Sequence, residues 1–317
     1  MNNNRPYKWL FKNVMMPAGE FASGISISKH YSRLNRSQWM ADTDLSKLQE
    51  KRLSNLFRHA YRTTDYYRKS FKDNNLDNFN KIKLDRIPIL TKSDIRDNQS
   101  SLISNYDETQ NYLLGRSSGS TGEPLTYYLD KRKKSMEWGA VFRGWGFAGY
   151  QFGDKTANLL GAPIVVARQS PYLRKVMNLL SRNLFLPGNE ISRNICLKYY
   201  DKLNNFKPKL LYGYASSLNE MSKVMDESNL DLTIPIIVST GETLHSEWRE
   251  RIEQSFNTKV FNEYGAEAFS TSIECPEHNG LHMPVENSKV EILDKNNEHV
   301  SDGEWGRVVS TDLANYA

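Results

Sequence analysis

The sequence predicts an α/β fold in which a mostly parallel sheet is flanked by helices. From about residue 131 the chain alternates between segments whose apolar residues recur at helical spacing and short apolar runs bounded by turn residues. Helices are predicted at about 131–148, across 172–203, at 216–227 and at 246–256, and strands near 156–166, at 210–212, at 235–238 and at 259–261. Such alternation is typical of parallel sheets, because each parallel connection needs a crossover, which is usually a helix.

The two ends of the chain differ from this central part. Residues 1–40 show no sustained period and are expected to wrap the surface, whereas apolar residues at helical spacing predict an amphipathic helix from Asp44. Thr91 and Asp94 form a capping box that is predicted to begin another helix. Short strands near 289–293 and 306–310 predict a small β subdomain. We therefore divide the chain into an α/β body over 1–285 and the start of the small β subdomain over 286–317.

The composition excludes several classes of protein. The 317 residues are 38% hydrophobic and 25% charged, which fits a globular protein with a core, and no stretch approaches the apolar length of a transmembrane segment. The N-terminus lacks the apolar core of a signal peptide, and Cys196 and Cys275 form no pairing pattern, so we expect a cytoplasmic protein. A net charge of +5 is a mild excess, and nucleic-acid binding is not expected.

A hydroxyl- and glycine-rich loop is the most informative segment of the chain. Residues 117–125 read Ser-Ser-Gly-Ser-Thr-Gly-Glu-Pro-Leu, and such a loop lets several N–H and O–H donors converge on one anion. It is not a Walker A loop, because Glu123 follows the second glycine where that motif needs lysine. The loop therefore predicts a phosphate-binding segment, and the alternative is an ordinary flexible turn.

Two further polar motifs follow predicted strands. One reads Ser239-Thr240-Gly241-Glu242, and the other runs from Asn262 through Glu263, Tyr264, Gly265 and Ala266 to Glu267. Both are expected at the carboxyl edge of the sheet, where α/β proteins bind ligands.

These three motifs, together with Gly303-Glu304-Trp305-Gly306-Arg307 before Thr311-Asp312-Leu313, fall in the order of one known family. The chain resembles the adenylate-forming, or acyl/aryl-CoA ligase, superfamily. Within it the chain looks most like the phenylacetate–CoA ligase-like branch, which includes CapK-type proteins of capsular polysaccharide biosynthesis. The resemblance to this branch rests on residues 65–68, 89–96, 207–208, 212–218, 274–276 and 280–282. It therefore covers nearly the whole chain.

The resemblance implies the ligands and the residues that hold them. In the family a carboxylate attacks the α-phosphate of ATP, and the resulting acyl-adenylate is transferred to a thiol, commonly coenzyme A. Tyr264 would then stack on adenine beside Gly265, Gly241 and Glu242 would line the adenine pocket, and Glu267 would coordinate Mg²⁺. The β- and γ-phosphates would be held by Ser117, Ser118, Gly119, Ser120, Thr121 and Gly122. Thr121 and Glu267 are the residues predicted to take part in catalysis.

Each assignment has a plainer alternative. Tyr264 is one of 17 tyrosines and would more ordinarily be a packing residue, while Glu242 and Glu267 could cap helices. Two departures from the family are also present. Glu123 stands where many members have lysine, and the chain ends before the stretch in which the family carries its ribose-binding aspartate and its mobile C-terminal domain. The sequence is therefore expected to represent the large N-terminal part, and Asp312 is not assigned to the ribose.

A cysteine and two histidines form a candidate zinc site. Cys275, His278 and His282 have the spacing Cys-x₂-His-x₃-His, and some relatives in this branch carry a structural zinc in the corresponding region. No fourth ligand is evident. The alternative is a buried cysteine with two surface histidines.

The leading interpretation is the nucleotide- and acid-binding body of an acid–CoA ligase. It would use ATP, Mg²⁺ and coenzyme A on an unidentified small carboxylic acid, and a homodimer is an open expectation. The alternative is a non-catalytic module that binds a nucleotide or acyl group in surface-polysaccharide biosynthesis.

Overall fold

The computed structural model describes residues 5–76, 79, 84–105, 112–116, 125–161, 178–189, 191–265 and 271–317. The chain divides into two compact units. The first unit contains the described residues of 1–23, 141–266 and 271–283, and the second contains those of 24–140 and 284–317. The division predicted from the sequence at 285/286 differs from this one, because residues 286–317 are grouped here with 24–140.

The helices described by the structure are α1 (Arg5–Leu10), α2 (Met16–Ser23), α3 (Ile27–Ser37), α4 (Asp42–Thr63), α5 (Asp65–Asp73), α6 (Lys92–Asp97), α7 (Gln99–Leu102), α8 (Lys131–Phe147), α9 (Arg193–Phe206), α10 (Ala215–Glu227) and α11 (Ser246–Ser255). A π-helical stretch, Phe11–Met15, joins the first two, and a 3₁₀ turn occupies Leu84–Arg86. None of these helices has the length and apolar composition needed to cross a membrane.

The strands are β1 (Leu113–Arg116), β2 (Thr126–Leu129), β3 (Thr156–Leu160), β4 (Asn183–Pro187), β5 (Leu210–Tyr214), β6 (Ile236–Thr240), β7 (Val260–Tyr264), β8 (Ser272–Glu274), β9 (Leu281–His282), β10 (Ser288–Leu293) and β11 (Arg307–Asp312).

The first unit is built on a seven-stranded sheet with the order β4-β3-β5-β6-β7-β8-β9. The first five strands in this order are parallel, and β8 and β9 continue the sheet in antiparallel fashion. All five residues of β6 are buried, as expected for a central parallel strand covered on both faces. The predicted mostly parallel α/β fold is therefore confirmed.

The core of this unit lies between the sheet and α9, α10 and α11. Leu203, Leu218 and Ile252 from these helices are fully buried in one cluster with Leu159 and Ile237 from the strands. Removing this much apolar surface from water is the main stabilising contribution in a fold of this kind. The packed sheet gives the ends of its strands a rigid support.

The second unit contains two antiparallel strand pairs and a smaller aromatic core. Strand β1 pairs with β2, and β10 pairs with β11 over six residues, which confirms the two strands predicted near 289–293 and 306–310. Phe57, Phe71 and Leu76 form a buried cluster, in which the two phenylalanine rings meet edge to face at 5.7 Å between centroids.

The helical predictions were mostly right, with two corrections. Residues 5–37 form helices rather than an irregular wrap, and Leu34 is the only buried residue among residues 5–40, so their apolar pattern is weak. The helical prediction over 172–203 was wrong at 183–187, where β4 lies as an edge strand. The capping box of Thr91 and Asp94 is present at the start of α6.

Candidate functional site

The polar motifs predicted to meet at the sheet edge do so. Tyr214 pairs with Thr240 and Ser239 pairs with Asn262, so β5, β6 and β7 end side by side. The residues that follow β6 and β7, Gly241 and Gly265, are therefore placed at the carboxyl edge. This is the position at which open parallel sheets bind ligands.

Tyr264 ends β7 and is 57% exposed. A packing residue of the core would be covered, so this exposure favours the interpretation of Tyr264 as a contact surface. An exposed ring on a rigid strand end has the flat apolar face that a purine base can stack on.

Gly241 has a conformation that favours glycine. Its φ is +75°, in the left-handed region. A Cβ atom at this position would also lie 2.9 Å from two carbon atoms of the Tyr214 ring. The backbone after β6 therefore passes directly against Tyr214, and a side chain would force the two apart.

Glu242 caps a neighbouring helix. Its Oε2 accepts a hydrogen bond of 2.8 Å from the backbone N–H of Ser216, in the first turn of α10. A carboxylate is stabilised there by the N–H groups and the dipole of the helix. This contact fixes the loop after β6, and the predicted role of Glu242 in an adenine pocket stays a prediction.

Glu263 is a buried acid that the sequence analysis did not assign. Its side chain is 4% exposed, and its Oε1 accepts hydrogen bonds from the Tyr212 hydroxyl at 2.5 Å and from Thr240 Oγ1 at 3.1 Å. Burial raises the pKa of Glu263 to about 7, against the smaller lowering effect of hydrogen bonds from Tyr212, Thr240 and the Trp145 indole. The alternation of side chains along a strand could have indicated this residue. Glu263 lies on the same face of β7 as the buried Phe261, whereas the exposed Tyr264 lies on the other face.

The same edge continues across β3 and β4. A Cβ on Gly161, which follows β3, would lie 2.6 Å from Asn189 Oδ1 and 3.2 Å from the Tyr214 hydroxyl oxygen. Asn189 and Tyr214 therefore add polar atoms to the edge near Gly161. Sequence reasoning did not single out Gly161 or Asn189, since neither stands in a recognisable motif.

Several predicted site residues lie outside the described residues. These are Ser117, Ser118, Gly119, Ser120, Thr121, Gly122 and Glu267. Their roles in binding phosphate and Mg²⁺ stay predictions.

The structure does not bring the predicted zinc ligands Cys275, His278 and His282 together. No group of three or more potential ligands is close enough to hold a metal ion among the residues that the structure describes. His278 Nδ1 lies 3.0 Å from Glu274 Oε2, and the His282 ring packs edge to face on Phe147 at 5.4 Å. Zinc binding by these three residues stays a prediction.

Glu274 connects three elements of this segment. Its carboxylate accepts from Arg249 Nη2 at 2.7 Å and from the backbone N–H of Asn262 at 2.9 Å. Burial raises the pKa of Glu274, but the hydrogen bonds from Asn262, His278 and Arg249 outweigh it and hold the pKa below its usual value. The carboxylate thereby ties β8 to β7 and to α11.

Comparison with known proteins agrees with the resemblance. No protein-family model matches the chain. Protein CapK of Staphylococcus aureus is 27% identical over 272 residues, which cover 81% of this chain and 58% of that protein. Phenylacetate-coenzyme A ligase of Thermus thermophilus is 24% identical over 285 residues, which cover 86% of this chain and 62% of that enzyme. The chain thus spans about three fifths of the length of these relatives.

Solved structures share the fold. A crystal structure of 2-hydroxyisobutyryl-CoA ligase with 2-HIB-AMP superposes with a TM-score of 0.70 at 17% identity, covering 88% of this chain and 61% of that one. An open conformation of 2-hydroxyisobutyryl-CoA ligase with 2-HIB-AMP and CoA gives a TM-score of 0.68 at 16% identity. That match covers 85% of this chain and 61% of the ligase chain. The predicted resemblance to the adenylate-forming superfamily, with a phenylacetate–CoA ligase-like relation, is confirmed by these similarities together.

Proposed function

We propose that this chain is the nucleotide- and acid-binding part of an ATP-dependent ligase that activates a small carboxylic acid as an acyl-adenylate. Coenzyme A is the proposed acceptor of the acyl group. The observation that carries the proposal is the exposed Tyr264 at the carboxyl edge, beside the strand end that carries Gly241.

Each proposed role fits the chemistry of its residue. Tyr264 offers an aromatic face to adenine, while the glycine backbone at 241 permits close approach of a ligand. The loop over 117–122 supplies hydroxyl and N–H donors for the β- and γ-phosphates, and the Glu267 carboxylate supplies oxygen for the Mg²⁺ that accompanies ATP. Such chemistry asks the protein mainly for positioning and charge stabilisation.

Binding of ATP–Mg²⁺ to the purified chain, followed by calorimetry, tests the proposal. We expect Tyr264→Ala to weaken binding by roughly 1–3 kcal/mol, the scale of losing one base–aromatic stack. Phe21→Ala is the matched control, because Phe21 is an exposed aromatic residue of the same unit at 92% exposure. Equal affinities for Tyr264→Ala and the unaltered chain would contradict the proposal, and so would unfolding of that variant.

The complete reaction is expected to need more than these 317 residues. The resemblance implies a mobile C-terminal domain whose catalytic lysine meets the charge that develops at the α-phosphate, and the 317 residues match about three fifths of the length of the relatives. We therefore expect weak ATP binding and no acyl-adenylate from the 317 residues alone. Pyrophosphate release on the order of 1–10 s⁻¹ with any acid of a test panel would contradict this expectation.

The remaining features are further proposals. We propose that the protein is cytoplasmic. We also propose that it forms a homodimer, which solution scattering would test. The similarity to CapK supports a second candidate, a non-catalytic nucleotide- or acyl-binding module of surface-polysaccharide biosynthesis. ATP binding without pyrophosphate release, in a chain extended to the full length of the relatives, would favour the second candidate.

A further inference from the structure

A small polar cavity lies wholly within the second unit, and none of its lining residues is among those assigned to the nucleotide. Its volume is about 220 Å³, and it lies between α3, α4, α8 and the residues that precede β10. Its polar lining comprises His30, Arg33, Ser37, Arg52, Glu286 and Asn287. A water molecule occupies about 30 Å³ in the liquid, so the cavity has room for a polyatomic ion with some hydration.

The charge around this cavity is mainly positive. Burial lowers the pKa of His30, and the positive charges of Arg33, Arg132, Arg52 and Lys29 add to the effect, so that the pKa is about 4. Burial also lowers the pKa of Arg52, and the charge of Arg132 adds to that effect. Several cations thus act on one neutral imidazole, which is an arrangement that an anion would stabilise.

Glu286 balances part of this charge. It is 3% exposed, its Oε1 accepts from the Ser37 hydroxyl, and its backbone oxygen accepts from Arg52 Nη1. The lining holds two guanidinium groups, those of Arg33 and Arg52, and one carboxylate, so its net charge is positive.

Asn287 forms part of the wall of the cavity. It is 2% exposed, and its Nδ2 donates to the backbone oxygen of Met136 at 3.0 Å, in the first half of α8. This bond ties the residues that precede β10 to α8 and fixes this side of the cavity.

We propose that this cavity binds a small oxyanion of the phosphate type, with Arg33 and Arg52 as its cationic ligands. Guanidinium groups match the geometry of phosphate oxygens through paired N–H donors. The proposal does not depend on the proposed ligase function.

Inorganic phosphate is the probe, and thermal unfolding at constant ionic strength is the first measurement. We expect about 10 mM phosphate to raise the Tm of the unaltered chain by roughly 2–4 °C, because a ligand that binds the folded state stabilises it. The gain is expected to disappear in Arg33→Gln, whose side chain is on the exposed rim. Arg36→Gln is the matched control, since Arg36 is exposed on the same helix and is not among the lining residues.

The pKa of His30, followed by NMR and assigned with His30→Gln, distinguishes this cavity from phosphate bound at the nucleotide loop. Bound phosphate should raise the pKa of His30 from about 4 toward its ordinary range in the unaltered chain and in Arg36→Gln. An unchanged His30 pKa would overturn the proposal, as would equal stabilisation of Arg33→Gln and the unaltered chain.

Discussion

Lys133 and Asp312 form a nearly buried ion pair, with Nζ 2.9 Å from Oδ2 and side chains that are 2% and 17% exposed. The other carboxylate oxygen, Oδ1, accepts from the backbone N–H of Ala314 at 2.7 Å. The pair therefore ties the first turn of α8 to the end of β11 within the second unit.

We predict that Lys133→Met lowers the free energy of unfolding by about 2–4 kcal/mol, because removing one partner leaves a largely buried charge without its counter-ion. Urea unfolding measures the change. Lys47→Ala is the control, since Lys47 forms an exposed pair with Asp44 at 3.6 Å and should cost less than about 0.5 kcal/mol. Similar losses in the two variants would contradict the prediction.

A second prediction concerns the buried acid Glu263. In the folded protein the pKa of Glu263 is about 7, which is above the ordinary value of 4.5. The stability that protonated Glu263 contributes is therefore fully present below pH 4.5, and it is lost as the pH rises toward 7. Glu263→Gln keeps an oxygen for Tyr212 and Thr240 but cannot ionise. We expect the variant to gain roughly 2 kcal/mol relative to the unaltered chain between about pH 5 and pH 8.

Urea unfolding at both pH values measures this gain. Glu250→Gln is its control, because Glu250 is exposed on α11. A stability difference between Glu263→Gln and the unaltered chain that is the same at both pH values would show that Glu263 does not titrate in this range.

The third prediction uses the close approach of Gly241 to Tyr214. Gly241→Ala should cost about 1–2 kcal/mol for a side chain in the left-handed region, plus the energy of displacing the Tyr214 ring. Gly149→Ala measures the backbone cost alone. Gly149 has a φ of +92°, and an added Cβ there would meet no atom of the described residues within 4 Å. Unfolding free energies that fall equally in the two variants would mean that the Tyr214 ring moves aside freely.

The fourth prediction tests the hydroxyl-rich loop, which lies outside the described residues. Ser120→Ala combined with Thr121→Ala should weaken ATP binding by roughly 1–3 kcal/mol, the scale of hydrogen bonds to a charged group. Calorimetry measures it, and Ser32→Ala, an exposed hydroxyl on α3, is the control. Unchanged affinity in the double variant would remove the loop from the nucleotide site.

The sheet and its polar edge were predictable from the sequence because their signals are local. Buried parallel strands such as Ile236–Thr240 appear as short apolar runs, and Gly241 directly after this run marks the turn at the edge. The edge strand Asn183–Pro187 was missed because five residues carry too little pattern to distinguish a strand from a helix. The helices of residues 5–37 were missed because they bury little surface.

The parts of the site that were missed depend on contacts between distant residues. Glu263 is held by Tyr212, 51 positions away, and nothing in either local sequence indicates the pair. The spacing of Cys275, His278 and His282 also does not indicate that Glu274 contacts His278. Likewise, the Glu242 contact with Ser216 joins two elements that are separate in sequence.

The position of β8 and β9 in the sheet also bears on how the protein is synthesised. Strand β7 has β6 on one side, and its other side is covered by β8, which the ribosome makes later. Until Ser272–Glu274 has emerged, the nascent sheet presents the unpaired edge of β7, and such edges recruit strands from other chains. Shortened chains that stop before β8 should therefore aggregate, whereas those that include β9 should stay in solution.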